Sequence, residues 1–354
     1  MEKMNDYVQL KKFAEIDLSD TFFDSLKEDY VGFDIWFKKK QSQGEQAYVM
    51  LIEEKISGFM YLKEETESIQ LKDKKLNSIR RMKIGTFKLN TRGTILGDRF
   101  LALALRDAVK AKHERVYVTV FEKHEKLVRL FKRFGFQIAG ETQAGELFLG
   151  KRMNYIQSNP YANFPRISLS DPAYSLAIKA DYHTRLFPDS RLQTETGFIV
   201  EDLAQTNTVT KTYLCNMKRA ENLKPNDLLF IYRMAESHQI KTYHSVITSV
   251  CTVVEVKKIS DFKDYESYLK YIGKGTIFTT NELNTFWKTK KFPIIIKMLY
   301  NFPMNKKVIL NDFADIIEKP IVGTYWGLVD FDLPKAEKLL ERGKVSESFI
   351  IDKT

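Results

Sequence analysis

Arg92-Gly93-Thr94-Ile95-Leu96-Gly97, with the segments that follow it to Gly135-Phe136, decides the fold of the first half of this 354-residue chain. The six residues lie between a strand-like run, Arg81–Asn90, and an apolar helix, Asp98–Lys112. That helix carries Phe100, Leu101, Ala104, Leu105, Ala108 and Val109 at helical spacing. Arg115–Phe121 then alternates, with Val116, Val118 and Val120 facing one way. Glu122–Phe134 is helical again, with Leu127, Leu130, Phe131 and Phe134 on one stripe. Strand, glycine turn, helix, strand, helix is an α/β order. A glycine turn opening a helix presents free backbone N–H groups at a positive dipole end, which suits a phosphate or diphosphate.

Working outward, Tyr7–Phe13 reads as an opening strand, Asp20–Tyr30 as a helix capped by Ser19 or Asp20, and Phe33–Lys40 as a second helix. Ala47–Ile52 and Ile56–Lys63 form a hairpin around Glu53-Glu54-Lys55, and Gln137–Ala139 and Glu146–Met153 are trailing strands. Together they predict a mixed sheet with helices on its faces. Ser158-Asn159-Pro160, Asn163-Phe164-Pro165 and Ser170-Asp171-Pro172 interrupt all periodicity, so the expected division is a first domain over 1–155, a linker over 156–172 and a second domain over 173–354. In the second domain Gly197–Glu201, Leu228–Tyr232, Val246–Val256, Ile294–Met298 and Val308–Leu310 read as strands. Phe262–Tyr271, Asn281–Thr289, Asp312–Ile317 and Leu333–Arg342 read as helices. This is α+β, with a curved sheet or small barrel.

Composition excludes several classes. Hydrophobic residues make up 44% of the chain, enough for two ordinary domains, and no apolar run reaches membrane-spanning length. The polar N-terminus does not read as a signal peptide, so a cytoplasmic location is expected. Cys215 and Cys251 lack any metal-ligand spacing, and His183, His238 and His244 show none either; no metal is expected. The net charge of +10 is compatible with nucleic acid as a partner. A homodimer is compatible with the sequence.

The first part resembles the GNAT superfamily of acetyl-CoA-dependent N-acyltransferases. Their diphosphate-binding turn reads Arg/Gln-x-x-Gly-x-Gly/Ala between a strand and a helix. Arg92 fills its first position and Gly97 its last, while Ile95 replaces the central glycine. The family's later helix, Asn-x-x-Ala-x-x-Leu-Tyr-x-x-x-Gly-Phe, is matched by His124, Leu127, Leu130, Phe131, Gly135 and Phe136. The resemblance implies acetyl-CoA as the cofactor. It implies backbone contacts from Gly93, Thr94, Ile95, Leu96, Gly97 and Asp98 to the diphosphate, with a charge-assisted one from Arg92. It also implies that the strand edge at Phe87–Leu89 pairs with the pantetheine amides, that His124 stands where relatives place a coenzyme-contacting Asn, and that Phe131 is core or a tunnel wall.

Relatives use a tyrosine at the Phe131 position as general acid, and Phe cannot donate a proton. His124 is the remaining candidate for proton transfer. Lys83-Ile84-Gly85-Thr86-Phe87-Lys88-Leu89 holds no carboxylate to serve as base. A lysine side chain near about 10.4 needs such help, whereas an α-amine near about 7.7–8.0 needs far less. The acceptor expected is therefore a weakly basic amine, such as that of an aminoacyl-tRNA or a peptide N-terminus. Residues 72–92 carry Lys72, Lys74, Lys75, Arg80, Arg81, Lys83, Lys88 and Arg92 against one acid, Asp73. A basic loop beside the cleft attracts a phosphate backbone. Arg129, Lys132 and Arg133 read as a solvated outer helix face, and His113 as an ordinary helix-end residue.

The second part resembles PUA-like domains of the ASCH or EVE kind. The motifs are Ser175-Leu176-Ala177-Ile178-Lys179 before Tyr182-His183-Thr184-Arg185-Leu186-Phe187-Pro188, the turn and strand Leu223-Lys224-Pro225-Asn226-Asp227-Leu228-Leu229-Phe230-Ile231-Tyr232, and the strand His244–Val256. The resemblance implies binding of RNA or modified bases in a cleft. Stacking aromatics flanked by cations supply such binding physically, and Tyr182, Arg185, Tyr232, Arg233, Trp287, Lys288, Tyr325 and Trp326 are the candidates. The expectation is an N-acetyltransferase acting on an amine on or near RNA. The alternatives are a protein acetyltransferase with an adaptor domain, and a non-catalytic coenzyme A sensor joined to a nucleic-acid module.

Overall fold

The computed structural model describes residues 7–52, 55–90, 94–170, 172–187 and 208–351, with the backbone alone at 7 and 94–96. The first unit opens with β1 (Tyr7–Lys12), α1 (Asp24–Asp29) and α2 (Phe33–Ser42), then the hairpin β2 (Gln46–Ile52) and β3 (Lys55–Glu65). A two-residue pair, β4 (Ile69–Gln70) and β5 (Lys75–Leu76), precedes β6 (Arg81–Leu89), α3 (Thr94–Lys110), β7 (Arg115–Val120), α4 (Glu125–Arg133), β8 (Gln137–Glu141) and β9 (Leu147–Arg152). The sheet order is β1-β2-β3-β6-β7-β9-β8. All its ladders are antiparallel except that between β6 and β7.

The expected helix over Asp20–Tyr30 is shorter, because Thr21–Phe23 forms a tight 3-10 turn before α1 begins. Asp20 caps that turn through the Phe22 N–H at 2.8 Å. Phe22, Phe23, Phe33 and Phe37 pack with Phe13 and Phe59 in an aromatic cluster on one face of the sheet. On the opposite face α3 packs, and it is apolar nearly all round, as a helix covered on several sides must be. Phe100, Leu101, Ala104 and Leu105 share a cluster with Met60, Ile84 and Val118 of the sheet.

A short helix, α5 (Pro160–Asn163), and β10 (Ile167–Ser168) occupy the expected linker. Phe164 and Ile167 are buried there, and β10 pairs in parallel with the terminal strand β17 (Ile350–Ile351). The described part of 156–172 is thus packed structure. Beyond it lie β11 (Ala173–Ile178), α6 (Ala180–Leu186), β12 (Thr210–Cys215), β13 (Leu228–Arg233), α7 (Lys241–His244), β14 (Val246–Lys258), α8 (Tyr265–Ile272) and α9 (Thr280–Thr289). The series ends with β15 (Ile294–Ile309), α10 (Leu310–Ile317), β16 (Leu328–Phe331) and α11 (Leu333–Arg342). The second sheet runs β12-β15-β14-β13-β11-β16. It bends at three register shifts between β14 and β15. Of the two expected forms, curved sheet or small barrel, the sheet is the one found: β12 and β16 are edges, and the described residues form no closed barrel. The expected strand Gly197–Glu201 lies outside the described residues.

Period-2 alternation sorts the second core. Leu228, Phe230 and Tyr232 face the cluster that contains α3, while Leu229 and Ile231 face the other side. The two sheets therefore share one hydrophobic cluster through α3. Arg106 of α3 locks this junction, donating from Nε to the Asn301 carbonyl at 2.7 Å and from Nη2 to the Tyr300 carbonyl at 2.5 Å.

Candidate active site

The site begins with a fault in the sheet. β6 and β7 pair at only three positions, Met82 with Val116, Lys83 with Tyr117 and Ile84 with Val118. Beyond Ile84 the strands part, although β6 continues to Leu89 and β7 to Val120. A bulge at Gly85 accompanies the parting: Tyr61 of β3 faces Thr86, Leu62 faces Ile84, and Gly85 is the extra residue. Gly85 also suits its close neighbour, since a Cβ there would stand 3.1 Å from the Tyr61 ring. Thr86–Leu89 consequently has a backbone edge toward β7 with no ladder partner among the described residues.

The gap opens into a groove of about 1260 Å³, larger than most single-ligand pockets. Ile84, Thr86, Phe87 and Leu89 of β6 line it with Val118 and Val120 of β7. The first turn of α3 reaches it at Gly97, and α4 lines it with Leu127, Leu130, Arg129 and Arg133. The opposite wall comes from α1, α2 and their connection, with Leu26, Asp29, Tyr30, Val31, Phe33 and Trp36.

The electrostatics of the two ends differ. Near the start of α3, the Arg133 guanidinium is paired with Asp98, whose burial nonetheless lifts its carboxyl to a pKa of about 6. Arg133 stacks over Phe134 and Tyr161, and its Nε is buried without a partner among the described residues. At the other end Asp29 binds the Lys123 ammonium at 2.5 Å, and its Oδ2 lies 3.5 Å from His124 Nε2. The Lys123 hydrogen bond holds the Asp29 carboxyl below its usual range, so it is ionised. Tyr30 donates to Glu146 at 3.2 Å, which ties this wall to the start of β9 beside the end of β7. The half-buried Lys88 also lines the groove, where its ammonium bonds the Phe22 carbonyl and Ser25 Oγ.

The structure brings Phe87, Leu89, Gly97 and His124 of the sequence-derived coenzyme set into this groove. Arg92 and Gly93 lie outside the described residues, and Thr94, Ile95 and Leu96 already belong to α3. The helix thus starts four residues before the expected Asp98. Gly97 sits inside it, where a Cβ would stand 2.8 Å from Leu130 Cδ2, so its glycine also serves close α3–α4 packing. Asp98 is buried against Arg133 rather than lining the groove. Phe131 is wholly buried behind Phe87, at 5.7 Å between ring centroids, and against Phe136 at 5.0 Å. It is core, one of the two roles expected for it. Arg129, exposed as expected and paired with Glu125 at 3.3 Å, also lines the groove, as does Arg133, which is less exposed and paired with Asp98. His113, just past the end of α3, is buried with Nε2 at 3.3 Å from Glu64.

Asp29, Tyr30, Trp36 and Lys123 carried no signal in the sequence. Asp29 and Lys123 meet only because α1 and the β7–α4 connection converge.

The expected nucleic-acid residues do not gather. Lys74 and Lys75 sit on the β4–β5 hairpin, Arg80 pairs with Glu64 at 2.7 Å, and Lys83 lies over the Tyr117 ring. Three of the four lie before β6 and Lys83 is its third residue, whereas the groove opens toward its end; eight steps of about 3.3 Å separate Arg81 from Leu89. Arg81 is buried with its guanidinium on the carbonyls of Glu67, Ile79 and Asn77, so it holds a loop instead of a phosphate. In the second unit Tyr232 is buried and packs with Trp326 and Phe313, and the Trp326 indole donates to the Ile321 carbonyl at 3.1 Å. Tyr232 is core, and the partly buried Trp326 packs against the same cluster. Arg233 pairs with Glu236 at 3.4 Å, and Arg185 bonds the Ile277 carbonyl. Tyr182 packs on Phe278, and Trp287 on Tyr265 and Tyr268 under the Lys290 ammonium, with Lys288 exposed beside it.

No family model matches the chain, and no curated protein does. Several solved structures are similar to parts of it. The ASCH protein of Zymomonas mobilis covers 48% of this chain and 94% of its own length, at 6% identity and a TM-score of 0.31. Ard1 from Thermoplasma volcanium covers 41% and 97%, at 13% identity and a TM-score of 0.31. The Campylobacter jejuni N-acetyltransferase PseH, in complex with acetyl coenzyme A, covers 41% and 98%, at 16% identity and a TM-score of 0.28. Among the described residues no helix is long and apolar enough to cross a membrane, and no His/Cys/Asp/Glu group is arranged to hold a metal.

Proposed function

We propose that this chain is an acetyl-CoA-dependent N-acyltransferase that acetylates a primary amine in the groove between β6 and β7. The observation that carries this proposal is the parting of two parallel strands after three residue pairs, which leaves a free backbone edge beside a helix start.

That arrangement fits the coenzyme on three counts. The free edge of Thr86–Leu89 offers hydrogen-bonding groups to an amide-bearing chain, as an added strand does. The start of α3 favours negative charge. The Arg133 guanidinium, part-exposed although paired with Asp98, supplies positive charge at the same end, with Arg129 four residues earlier on α4. Coenzyme A, when bound, supplies the acyl group as an activated thioester.

The remaining chemistry falls to side chains of this chain. An N–C bond forms as the C–S bond breaks; of the two protons an ammonium acceptor gives up, one ends on the thiol and one in solvent. His124 is assigned the transfer of the second. Holding its proton on Nε2 toward Asp29 leaves Nδ1 to accept. Phe131 has no proton to give, and its ring keeps Phe87 in place.

The second unit is assigned contact with nucleic acid through the exposed lysines 288, 290 and 291 around Trp287. Titrating a 20-nucleotide RNA at rising salt tests this: the triple Lys→Glu variant should bind more weakly and with a shallower salt slope.

Calorimetry with acetyl-CoA and release of free thiol test the central proposal. Arg133→Ala should weaken acetyl-CoA binding about tenfold. No heat on addition of acetyl-CoA to the native protein refutes the assignment.

A further inference from the structure

Resting on the acyltransferase proposal, we infer that the acceptor is a primary amine carried on an apolar or aromatic group, with Asp29 as the carboxylate that receives its ammonium. The groove has two chemically distinct ends. Nine residues of α4 separate His124 from Arg133, a rise of about 13 Å. Arg129 and Arg133 mark one end for an anionic ligand. The other end, beyond His124, is where a second reactant has to enter.

That second end is apolar. Leu26, Tyr30, Val31, Phe33 and Trp36 line it, and Asp29 is the one carboxylate on the α1–α2 wall of the groove. Val31 is fully exposed at the rim, and Ile35, one α2 residue further out, is 76% exposed. Glycine at 32, with φ of +84°, turns the chain so that Val31 projects from the rim. An apolar wall that ends in exposed aliphatic side chains matches an apolar ligand better than a hydrated one.

Asp29 already binds a primary ammonium, that of Lys123. The Lys123 side chain is 59% exposed, so this ion pair is of the weak surface kind that a ligand ammonium displaces readily. Lys88 does not offer a competing cation for a phosphate, because its ammonium is engaged by the Phe22 carbonyl and Ser25. Asp24, Glu28 and Asp34 flank the same wall and oppose the approach of a polyanion. Lys123 and Lys126 line the same end, so the charge there is mixed and the apolar lining sets the class of acceptor.

The test first measures acetyl-CoA binding, whose failure removes the acyltransferase proposal itself. With binding established, thiol release is followed with phenethylamine, tryptamine, ethanolamine and phenylalanyl-tRNA as acceptors. Phenethylamine should exceed ethanolamine in kcat/KM by roughly 30-fold or more, from burial of the phenyl group. Asp29→Asn should raise KM for phenethylamine about tenfold while leaving acetyl-CoA affinity unchanged, and Asp29→Glu should recover part of the loss. The inference is overturned if acetyl-CoA binds but ethanolamine or phenylalanyl-tRNA is preferred, if no amine is consumed, or if Asp29→Asn leaves KM unaltered. The native selectivity stands as a measurement even where a variant fails to fold.

Discussion

Lys151 gives the most quantitative handle on how the groove is held. Its side chain on β9 is enclosed, and its nitrogen donates to the Phe134 carbonyl at the end of α4, at 2.8 Å, and to the Ala162 carbonyl of α5. Burial pushes its pKa down from 10.5 to about 7. In the unfolded chain the same group titrates near about 10.4. Between these values the unfolded state binds a proton that the folded state has released, so stability rises with pH across this window. The slope is about 1.4 kcal/mol per pH unit, and about 4–5 kcal/mol over the whole window is the upper bound. Below pH 7 both states are protonated and the contribution is flat. Lys151→Met removes the titration but strips two carbonyls of their donor, at about 1–3 kcal/mol each. Urea denaturation of both proteins from pH 6 to 10 isolates the effect, because every other group cancels in the difference. The native-minus-variant stability should be level to pH 7 and then climb. Parallel curves, agreeing within about 0.5 kcal/mol over the range, would refute the reasoning.

Three further outcomes follow from the same geometry. Phe131→Tyr buries a hydroxyl between Phe87 and Phe136; it should cost about 1–3 kcal/mol in thermal denaturation and should not accelerate acyl transfer, so a faster variant would sink the core assignment. Arg106→Ala leaves the Tyr300 and Asn301 carbonyls without their donor at the junction, and should lower stability by about 2–5 kcal/mol, read from the urea midpoint. Gly85→Val places a branched side chain against Tyr61, and should cost about 1–3 kcal/mol and weaken acetyl-CoA binding in calorimetry; unchanged affinity would separate the bulge from the groove.

Periodicity alone located most of the elements that build the groove. The valines of β7 alternate because a strand repeats every two residues, and the apolar stripes of α3 and α4 recur at helical spacing. Element ends were less legible: α3 takes up Thr94–Gly97 of the expected glycine turn, where Gly97 packs close on Leu130, a partner distant in sequence. The long strand β15 runs through Asn301-Phe302-Pro303, where a break was expected, because bulges accommodate the irregular pairs.

By itself the sequence determined the alternation of strands and helices and the core role open to Phe131, since these depend on neighbours a few residues apart. Only the tertiary structure decided where β6 leaves β7, that Asp29 meets Lys123 and His124 across some 94 residues, and that Lys72, Lys74, Lys75 and Arg80 stand outside the groove lining. Those facts depend on the direction in which whole elements run and on which edge lacks a partner. Such quantities are set when the sheet assembles and leave no local pattern in the chain.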